Sequence, residues 1–151
     1  MIIENAGIGD AEEILALQKL AYQSEAAIYN DFTIPPLKQT LDEIEKDFDT
    51  QTFLKAVENG RIIGSVRAFL REGTCYVGRL IVHPDFQNRG IGKQLMSRIE
   101  AIFSEAQRFE IFTGHKSERN LYLYEKLGYQ RFKTVMANEK LTIVFLEKYQ
   151  R

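Results

Sequence analysis

The fold is decided by the stretch Leu80-Ile-Val-His-Pro-Asp-Phe-Gln-Asn-Arg-Gly-Ile-Gly-Lys93, in which an apolar strand leads through a tight loop directly into a helix. Gly90 and Gly92 fall in the first turn of that helix. The first N–H groups of a helix have no partner within the helix, and its N-terminus carries a partial positive charge. Because glycine has no Cβ, phosphate groups can reach those N–H groups. Residues 86–98 contain three basic residues and no acidic one. The stretch therefore predicts a cradle for a pyrophosphate.

Two common phosphate-binding loops do not match this stretch. A Walker A loop requires glycine five positions before Gly92, where Gln87 stands, and serine or threonine after Lys93, where Gln94 stands. The dinucleotide-binding fingerprint requires a third glycine at the position of Leu95. A nucleotide hydrolase is therefore disfavoured. A glycine-rich turn from strand to helix without any ligand is the alternative that the glycines alone leave open.

The residues before this stretch predict two helices and four strands. The pattern indicates a short strand at 2–4 and then a helix that Asp10 caps, with Glu13 completing a capping box. A loop over 27–36 and a second helix over 37–48 follow. Asn59-Gly60 marks a hairpin between strands at 52–57 and 61–70, and a third strand of this group covers 75–82.

The residues after residue 82 predict two further helices and three strands. A helix from Gly90 to about Ala106 has an apolar stripe formed by Ile91, Leu95, Ile99 and Ile102. A strand at 109–113 precedes a helix that is capped by Ser117 and ends at Gly128. Strands at 129–136 and 141–147 follow. The order β-α-α-β-β-β-α-β-α-β-β predicts an α/β sandwich on a mixed sheet, without the strict alternation of a doubly wound fold.

Length and composition exclude several classes of protein. The chain has 151 residues and a net charge of −1, so we expect a single domain over residues 1–151 and no nucleic-acid or anionic-membrane partner. No apolar run is long enough to span a bilayer, and the N-terminus lacks the pattern of a signal peptide. The only cysteine, Cys75, excludes an internal disulfide and points to a reducing, cytoplasmic setting.

Two motifs together resemble those of a known family. Val82-His83-Pro84 followed by Gln87-x-x-Gly90-x-Gly92 resembles the acetyl-CoA signature of the GNAT superfamily of acyl-CoA N-acyltransferases. Asn120-Leu-Tyr-Leu-Tyr-Glu-Lys-Leu-Gly-Tyr129 resembles the family's Tyr-Glu-Lys-Leu-Gly-Phe/Tyr segment. Many members carry an asparagine where Ser117 stands here, whereas this chain has Asn120. The resemblance implies an α/β fold, with a GNAT-like mixed, mostly antiparallel sheet and helices on both faces.

The resemblance also implies direct transfer of an acetyl group from acetyl-CoA to a primary amine of a small molecule or peptide. It implies that acetyl-CoA binds to the strand backbone, to the cradle and to one residue of the later helix. These residues are Leu80, Ile81 and Val82 of the strand, Gln87, Asn88, Arg89, Gly90, Ile91, Gly92 and Lys93 of the cradle, and Asn120 of the helix. Tyr124 would protonate the departing thiolate, since a phenol with a pKa of about 10 is neutral at pH 7. Glu25, Tyr29 and Asp31, in the acidic loop between the first two helices, would form the acceptor wall; a solvated loop is their alternative role.

Other reactive or charged residues receive simpler interpretations. Cys75 is expected to be a buried thiol rather than an acyl-enzyme nucleophile. Two histidines and one cysteine do not make a metal site, so no metal is expected. His83 is interpreted as a turn residue, and His115 could shape the acceptor side. Arg67 and Arg79 either bind an anionic acceptor or lie on a solvated sheet face, and the sequence leaves both open.

Two functions of different classes are therefore compatible with the sequence. The first is a cytoplasmic N-acetyltransferase of GNAT type, whose partners are acetyl-CoA and an amine acceptor. The alternative is a non-catalytic domain of the same fold that binds or senses acyl-CoA. The acceptor, the acyl-chain preference and the general base are left open. The oligomeric state is also open, and a homodimer is compatible with the sequence.

Overall fold

Seven strands form one sheet in the computed structural model, which describes residues 1–150. The strands are β1 (Ile2–Asn5), β2 (Thr52–Glu58), β3 (Arg61–Arg71), β4 (Thr74–Val82), β5 (Arg108–Gly114), β6 (Gln130–Met136) and β7 (Thr142–Tyr149). The helices are α1 (Ala11–Tyr29), α2 (Pro35–Lys38), α3 (Leu41–Thr50), α4 (Ile91–Ile102) and α5 (Glu118–Lys126). Short 3₁₀ turns precede α1 at Ile8–Asp10 and follow β4 at Pro84–Phe86.

The strand order across the sheet is β1-β2-β3-β4-β5-β7-β6. Every neighbouring pair is antiparallel except β4 and β5, which run parallel. The crossover through α4 produces that single parallel pair, as expected for a strand–helix–strand unit. The fold class predicted from the sequence is confirmed, because the sheet is mixed and mostly antiparallel.

Two apolar clusters hold the helices against the sheet. In one cluster, α1 and α3 pack on the strands through Ile14, Leu17 and Ile44, which contact Phe53 and Ile81. In the other, α4 and α5 contribute Ile91, Leu95, Met96, Ile99, Leu121 and Tyr124, which pack with Phe109 and Ile111 of β5. Burial of these side chains is the main source of stability, at about 25 cal/mol per Å² of apolar surface.

The sheet splits open between β4 and β5. These strands pair only where Thr74 to Tyr76 of β4 face Arg108 to Glu110 of β5. Farther along, β5 keeps its pairing with β7 to Gly114, while β4 keeps its pairing with β3 to Val82. The β3–β4 register shifts between Ser65 and Arg67, and Arg79 on β4 has a positive φ of 47°. A bulge of this kind bends a strand, and here it accompanies the divergence of β4 from β5.

The first helix is longer than the sequence pattern predicts. Residues 27–29, expected in a loop, continue α1 to Tyr29, and Asn30 then ends it in the left-handed conformation with φ 49°. Glu25 and Tyr29 therefore lie on a helix, and the prediction of an acidic loop at these two positions is wrong. The helix expected over 37–48 is divided into α2 and α3. Thr40 and Glu43 form a capping box, which starts α3 anew at Leu41.

The capping box expected from Asp10 and Glu13 does not form. Asp10 accepts hydrogen bonds from the backbone N of Gly7 at 3.0 Å and from Lys55 Nζ, while Glu13 accepts from the backbone N of Ile62 at 2.8 Å. Both carboxylates are therefore used by other elements.

The long helix after the glycines ends earlier than predicted. It stops at Ile102 rather than near Ala106, because Phe103 leaves the helical conformation and packs in the core together with Ala106. Ile102, placed in the buried stripe by the sequence, is 38% exposed, and Met96 is buried instead.

Two findings concern membranes and metals. None of the helices within residues 1–150 is both long and apolar enough to cross a bilayer. The same residues contain no group of three or more His, Cys, Asp or Glu side chains placed to hold a metal ion.

Candidate functional site

A cavity of about 550 Å³ lies where the sheet splits. Its walls are the second half of β4, the loop into α4, the first turns of α4 and α5, and the C-terminal half of α1. Most of the residues that the sequence assigned to acetyl-CoA line it, namely Leu80, Ile81, Val82, Gln87, Asn88, Gly90, Ile91, Gly92, Lys93 and Asn120. The structure therefore brings the strand, the cradle and Asn120 to one site.

The loop into α4 presents unpaired backbone donors to this cavity. The first helical hydrogen bond of α4 runs from the N–H of Gln94 to the carbonyl oxygen of Gly90 at 3.0 Å. The backbone N–H groups of residues 87–93 donate to no backbone acceptor within residues 1–150, and no side chain caps the helix. Asn88 and Gly90 have positive φ values of 64° and 77°, which turn successive N–H groups to one side. Such an array binds an anion.

Gly90 is suited to this turn for a conformational reason. Its φ of 77° is a conformation that L side chains rarely adopt, and a Cβ built there would meet no atom within 4 Å. The space beside Gly90 is therefore open to a ligand. A Cβ at Gly92 would make only ordinary contacts, the nearest being Leu123 Cδ2 at 3.5 Å.

Positive charge surrounds the cradle from two helices. Lys93 comes from the first turn of α4, Lys116 comes from the turn before α5, and Arg119 comes from the first turn of α5; all three line the cavity. Arg119 donates a hydrogen bond to Gln87 Oε1, which joins the α5 side to the cradle. Sequence reasoning missed Lys116 and Arg119, although both lie next to the predicted helix start at Ser117. Arg89, assigned to acetyl-CoA, does not line the cavity; its guanidinium lies 5.0 Å from the ring centre of Phe86.

One edge of β4 is free in the cavity. From Val77 onward β4 has no partner on the β5 side within residues 1–150, so the backbone of Leu80 to Val82 offers hydrogen-bonding groups there. Gln87 Nε2 donates to the carbonyl oxygen of Val82 at 3.5 Å. Across the split, Asn120 of α5 donates to Thr113 Oγ1 at 3.2 Å. An extended ligand can therefore lie along β4 as an added strand.

Tyr124 lies in the core behind the cavity. It is 3% exposed, does not line the cavity, and its ring centre lies 6.3 Å from that of Tyr129. Burial raises the pKa of Tyr124 above its ordinary value, and the nearby Tyr22 and Glu25 raise it further. Tyr124 follows Leu123, which lines the cavity, and lies one helical turn after Asn120 on α5. The neutral phenol is the form it keeps.

A hydrogen-bonded chain holds the acceptor end together. Ser117 donates to Glu25 Oε2, and its hydroxyl lies 3.0 Å from that of Tyr29, which accepts from the backbone N of Lys116 at 2.9 Å. Tyr29 reaches Lys116 and Ser117, just before α5, only because residue 114 is glycine, since a Cβ there would lie 2.1 Å from the Tyr29 hydroxyl. Glu25 and Ser117 line the cavity, whereas Tyr29 supports them from outside it.

The third predicted acceptor residue lies elsewhere. Asp31 is outside the cavity, and its carboxylate accepts hydrogen bonds from the backbone N and the Oγ1 of Thr33 at 2.9 and 2.6 Å. These bonds hold the pKa of Asp31 below its usual range. The residue that sequence reasoning missed here is Tyr22, which lines the cavity one turn of α1 before Glu25.

The two arginines in neighbouring strands differ in their partners. Arg67 is buried, and its Nη1 lies 2.8 Å from Asp47 Oδ2 while its Nη2 donates to Gln18 Oε1 at 2.6 Å. The sequence left two roles open for Arg67, a position on an exposed sheet face and a free anion-binding group. The structure shows neither, because Arg67 is buried and paired with Asp47. Arg79 is half-buried, and its Nε is buried without a hydrogen-bond partner among the described residues.

The remaining reactive residues have structural positions. Cys75 is a fully buried free thiol whose pKa is raised by burial to about 12, as expected for a thiol with no nucleophilic role. His83 Nδ1 accepts from the backbone N of Asp85 at 3.0 Å, which makes it the turn residue predicted. His115 is exposed, accepts from the backbone N of Thr142 at 3.0 Å, and does not line the cavity.

The split sheet with a backbone cradle at its open edge defines the class of α/β protein that the sequence motifs predicted. The model of the Acetyltransferase (GNAT) family matches residues 13–129. The chain therefore belongs to the GNAT acetyltransferase family.

Individual relatives are similar to this chain over different shares of their length. A protein from Yersinia pestis named "Acetyltransferase" is 32% identical over 67% of this chain and 73% of its own length. YqkA of Bacillus subtilis, named a UPF0157 protein, is 29% identical over 93% of this chain, and this chain spans only 40% of its length.

Solved structures share the fold at low sequence identity. The PaiA N-acetyltransferase of Thermoplasma acidophilum, solved in complex with coenzyme A, has a TM-score of 0.83 at 16% identity, over 99% of this chain and 100% of that one. The structure of YncA from Salmonella typhimurium with its cofactor acetyl-CoA has a TM-score of 0.77 at 18% identity, over 99% of this chain and 93% of that one.

Proposed function

We propose that this chain is a single cytoplasmic acetyltransferase domain that transfers the acetyl group of acetyl-CoA to a primary amine of a small molecule or peptide. The observation that carries the proposal is the run of unpaired N–H groups at residues 87–93, which opens into the same cavity as the free edge of β4. An anion site and a strand-docking edge in one cavity suit a ligand with a pyrophosphate and an extended, amide-containing arm.

The donor end would hold acetyl-CoA by its two kinds of polar group. The N–H groups of residues 87–93 would bind the pyrophosphate, with the positive end of the α4 dipole and the charges of Lys93, Lys116 and Arg119 beside it. The amides of the pantetheine arm would pair with the backbone of Leu80 to Val82 as an added strand. Asn120, which lines the cavity from α5, would face this arm. Coenzyme A in the related PaiA structure supports the assignment.

Glu25 is the side chain that we assign to the acceptor's proton. The amine must lose a proton as its nitrogen attacks the thioester carbonyl carbon, so a base is needed near that nitrogen. Glu25 lines the cavity, and the hydrogen bond from Ser117 fixes the position of its carboxylate. Its charge contributes to the raised pKa values of both Tyr22 and Tyr124.

Tyr124 is the side chain that we assign to the leaving group. When the carbon–sulfur bond breaks, the coenzyme A thiolate takes up a proton, and the neutral Tyr124 phenol is the donor assigned here. Burial raises the pKa of Tyr124 and so weakens it as an acid. A thiolate held against the apolar core around Tyr124 would likewise be disfavoured, which would make it a stronger base. The two effects of burial oppose each other, so proton transfer between them remains feasible.

The proposal is tested by separating binding from turnover. Calorimetric titration with acetyl-CoA should show one site per chain. Incubation with a panel of amines and peptide N-termini should release one free thiol per acetylated product, measured by thiol reagent and mass spectrometry. Acetyl-CoA binding with no acetylated product across the whole panel would favour the non-catalytic acyl-CoA-binding domain instead. Absence of acetyl-CoA binding would contradict both functions.

A further inference from the structure

The C-terminal half of α1 presents a single charge to the cavity. Five of its residues line the cavity, namely Ala21, Tyr22, Ser24, Glu25 and Ile28, and Glu25 is the only charged one among them. Ala21, Glu25 and Ile28 follow one another at intervals of four and three residues, so they form one stripe along the helix. The carboxylate of Glu25 therefore has an apolar side chain one turn away on either side.

Ile28 is an exposed apolar side chain at the edge of the cavity. It lines the cavity and keeps 44% of its surface accessible. Tyr122 lines the same cavity from α5 and is 66% exposed. A single exposed apolar side chain is ordinary on a protein surface. Two that open into one cavity from different helices offer apolar area to a ligand, and covering that area is favourable.

The other charged side chains that line the cavity do not favour a second cation on the ligand. Lys116, Glu118 and Arg119 lie at or just before the start of α5, where their charges add up to one net positive charge. Lys93 adds another positive charge from α4. An acceptor with two ammonium groups would therefore find one carboxylate on α1 and net positive charge on the other helices. An acceptor with one amine and an uncharged remainder fits these charges better.

We propose that Ile28 binds an apolar chain of the acceptor, so that the acceptors are primary amines whose nitrogen is attached to an apolar substituent. The inference rests on the proposed function and names its substrate class. With the acceptor nitrogen at Glu25, the chain would follow α1 toward Ile28, about 4.5 Å farther along the helix axis. In the opposite direction Ala21 and Tyr22 are partly buried against the core, so the exposed side is that of Ile28. Contact with the chain would remove apolar surface of both molecules from water.

A homologous series of linear primary amines tests this assignment. Amines from ethylamine to hexylamine differ only in the number of methylene groups and have nearly the same basicity, so ionisation does not bias the comparison. The kcat/KM of the wild-type protein should rise by about two- to fourfold for each methylene that reaches Ile28. Terminal diamines of the same lengths are measured beside them. Better use of a diamine, beyond the statistical advantage of two amines, would show recognition of a second cation and would overturn the assignment.

Three variants show whether Ile28 is responsible. Ile28→Ser should flatten the series, so that hexylamine loses about fivefold or more in kcat/KM and ethylamine loses least. Ile28→Leu keeps an apolar side chain of equal size and should retain the rise. Leu20→Ser is the matched control and should keep the full rise, because Leu20 is also 44% exposed on α1 but does not line the cavity. A purely structural Ile28 would instead lower the use of all the amines equally in Ile28→Ser, which would overturn the assignment.

A second readout needs no turnover. The N-alkylacetamides, which are the products of the same amines, are titrated into the protein in the presence of coenzyme A. Affinity that rises with chain length in the wild-type protein and not in Ile28→Ser would support the apolar site even if no acetyl transfer is found, in which case only the proposed function fails. Acetyl transfer with equal use of short and long amines would overturn the apolar site and leave the proposed function standing. Absence of both transfer and binding that depends on chain length would overturn both.

Discussion

The donor end of the cavity is built from backbone groups of one continuous stretch, whereas the acceptor end is built from side chains that are distant in sequence. Residues 87–93 offer N–H groups to a ligand whatever their side chains. At the other end, Glu25 meets Ser117 across 92 residues, and both lie near Tyr22 of α1. The two ends therefore depend on different properties of the chain.

This difference predicts which substrate each substitution affects. Changes of backbone conformation in the cradle should alter acetyl-CoA binding, because the backbone is the ligand-binding group there. Removal of single polar atoms at the acceptor end should alter the chemical step or the use of the amine. A substitution that affected both equally would show that the two ends are not independent.

The largest effect is expected from Tyr124→Phe. It removes one hydroxyl and keeps the ring that packs with Tyr129. If that hydroxyl protonates the thiolate, kcat should fall by about 100-fold or more, with the KM for acetyl-CoA nearly unchanged. Steady-state kinetics with a reactive amine measures both constants.

Tyr129→Phe is the matched control for this substitution. Tyr129 is also buried, but its hydroxyl is already used by the fold, since it donates to Glu100 Oε2 at 2.8 Å. Its loss should lower the free energy of unfolding by about 1–3 kcal/mol and leave kcat within about twofold. Full activity of Tyr124→Phe would refute its assignment as the acid.

The second largest effect is expected from Gly90→Val, which changes the cradle and should weaken acetyl-CoA binding. Valine strongly disfavours a φ of 77° and carries a branched side chain into the space beside the N–H groups. The affinity for acetyl-CoA should fall by about tenfold or more, or about 1.4 kcal/mol. Calorimetry measures it directly.

Gly60→Val separates strain from ligand binding. Gly60 has a φ of 75° and equally open space, but it lies in the turn between β2 and β3. Both variants should lose similar stability on thermal unfolding, and only Gly90→Val should lose acetyl-CoA. Equal acetyl-CoA affinity in the two variants would remove the pyrophosphate from the α4 cradle.

A smaller effect is expected from Glu25→Gln. The amide keeps a hydrogen-bond acceptor for Ser117 but cannot take the amine proton at neutral pH. Turnover should fall by about tenfold, less than for Tyr124→Phe if water can carry the proton, and should depend more steeply on pH. Glu12→Gln, an exposed change more than three turns away on the same helix, should retain wild-type turnover. Unchanged turnover of Glu25→Gln would exclude Glu25 as the base.

The smallest effect is expected from Cys75→Ala. Because burial raises the pKa of this thiol to about 12, almost no thiolate exists at neutral pH, and a covalent acyl–sulfur step there is disfavoured. Turnover should change by less than about twofold, with a stability loss of about 1 kcal/mol. A thiol reagent at pH 8 should modify Cys75 slowly in the native protein and quickly after unfolding. Loss of turnover in a folded Cys75→Ala protein would contradict direct transfer.

The features of the fold that are local in sequence were predictable. Asn59-Gly60 and the alternation around it indicate the β2–β3 hairpin, and the glycines before Ile91 indicate the start of α4. The errors arose where distant contacts decide the outcome. Residues 27–29 extend α1 because Tyr29 reaches across to Ser117 and Lys116, and Asp10 turns to Lys55 instead of capping the helix.

The candidate site divides in the same way. The cradle was predictable because its residues are consecutive and its donors are backbone atoms. The acceptor end was not, because it depends on how α1 lies against β4 and α5. The buried ion pair of Arg67 with Asp47 and the unpaired Nε of Arg79 depend on strand register and on the bulge in β4. No local sequence pattern distinguishes those two arginines.

The most direct test of the central claim is an amide NMR titration of the protein with acetyl-CoA. Binding through backbone donors should shift the ¹H–¹⁵N signals of residues 87–93 most, and those of residues 80–82 next. The amides of residues 72–73, in the β3–β4 turn at the opposite end of β4 from residues 80–82, should stay in place. This pattern is the result that the account predicts. Saturable binding that left the amides of residues 87–93 unshifted would contradict it.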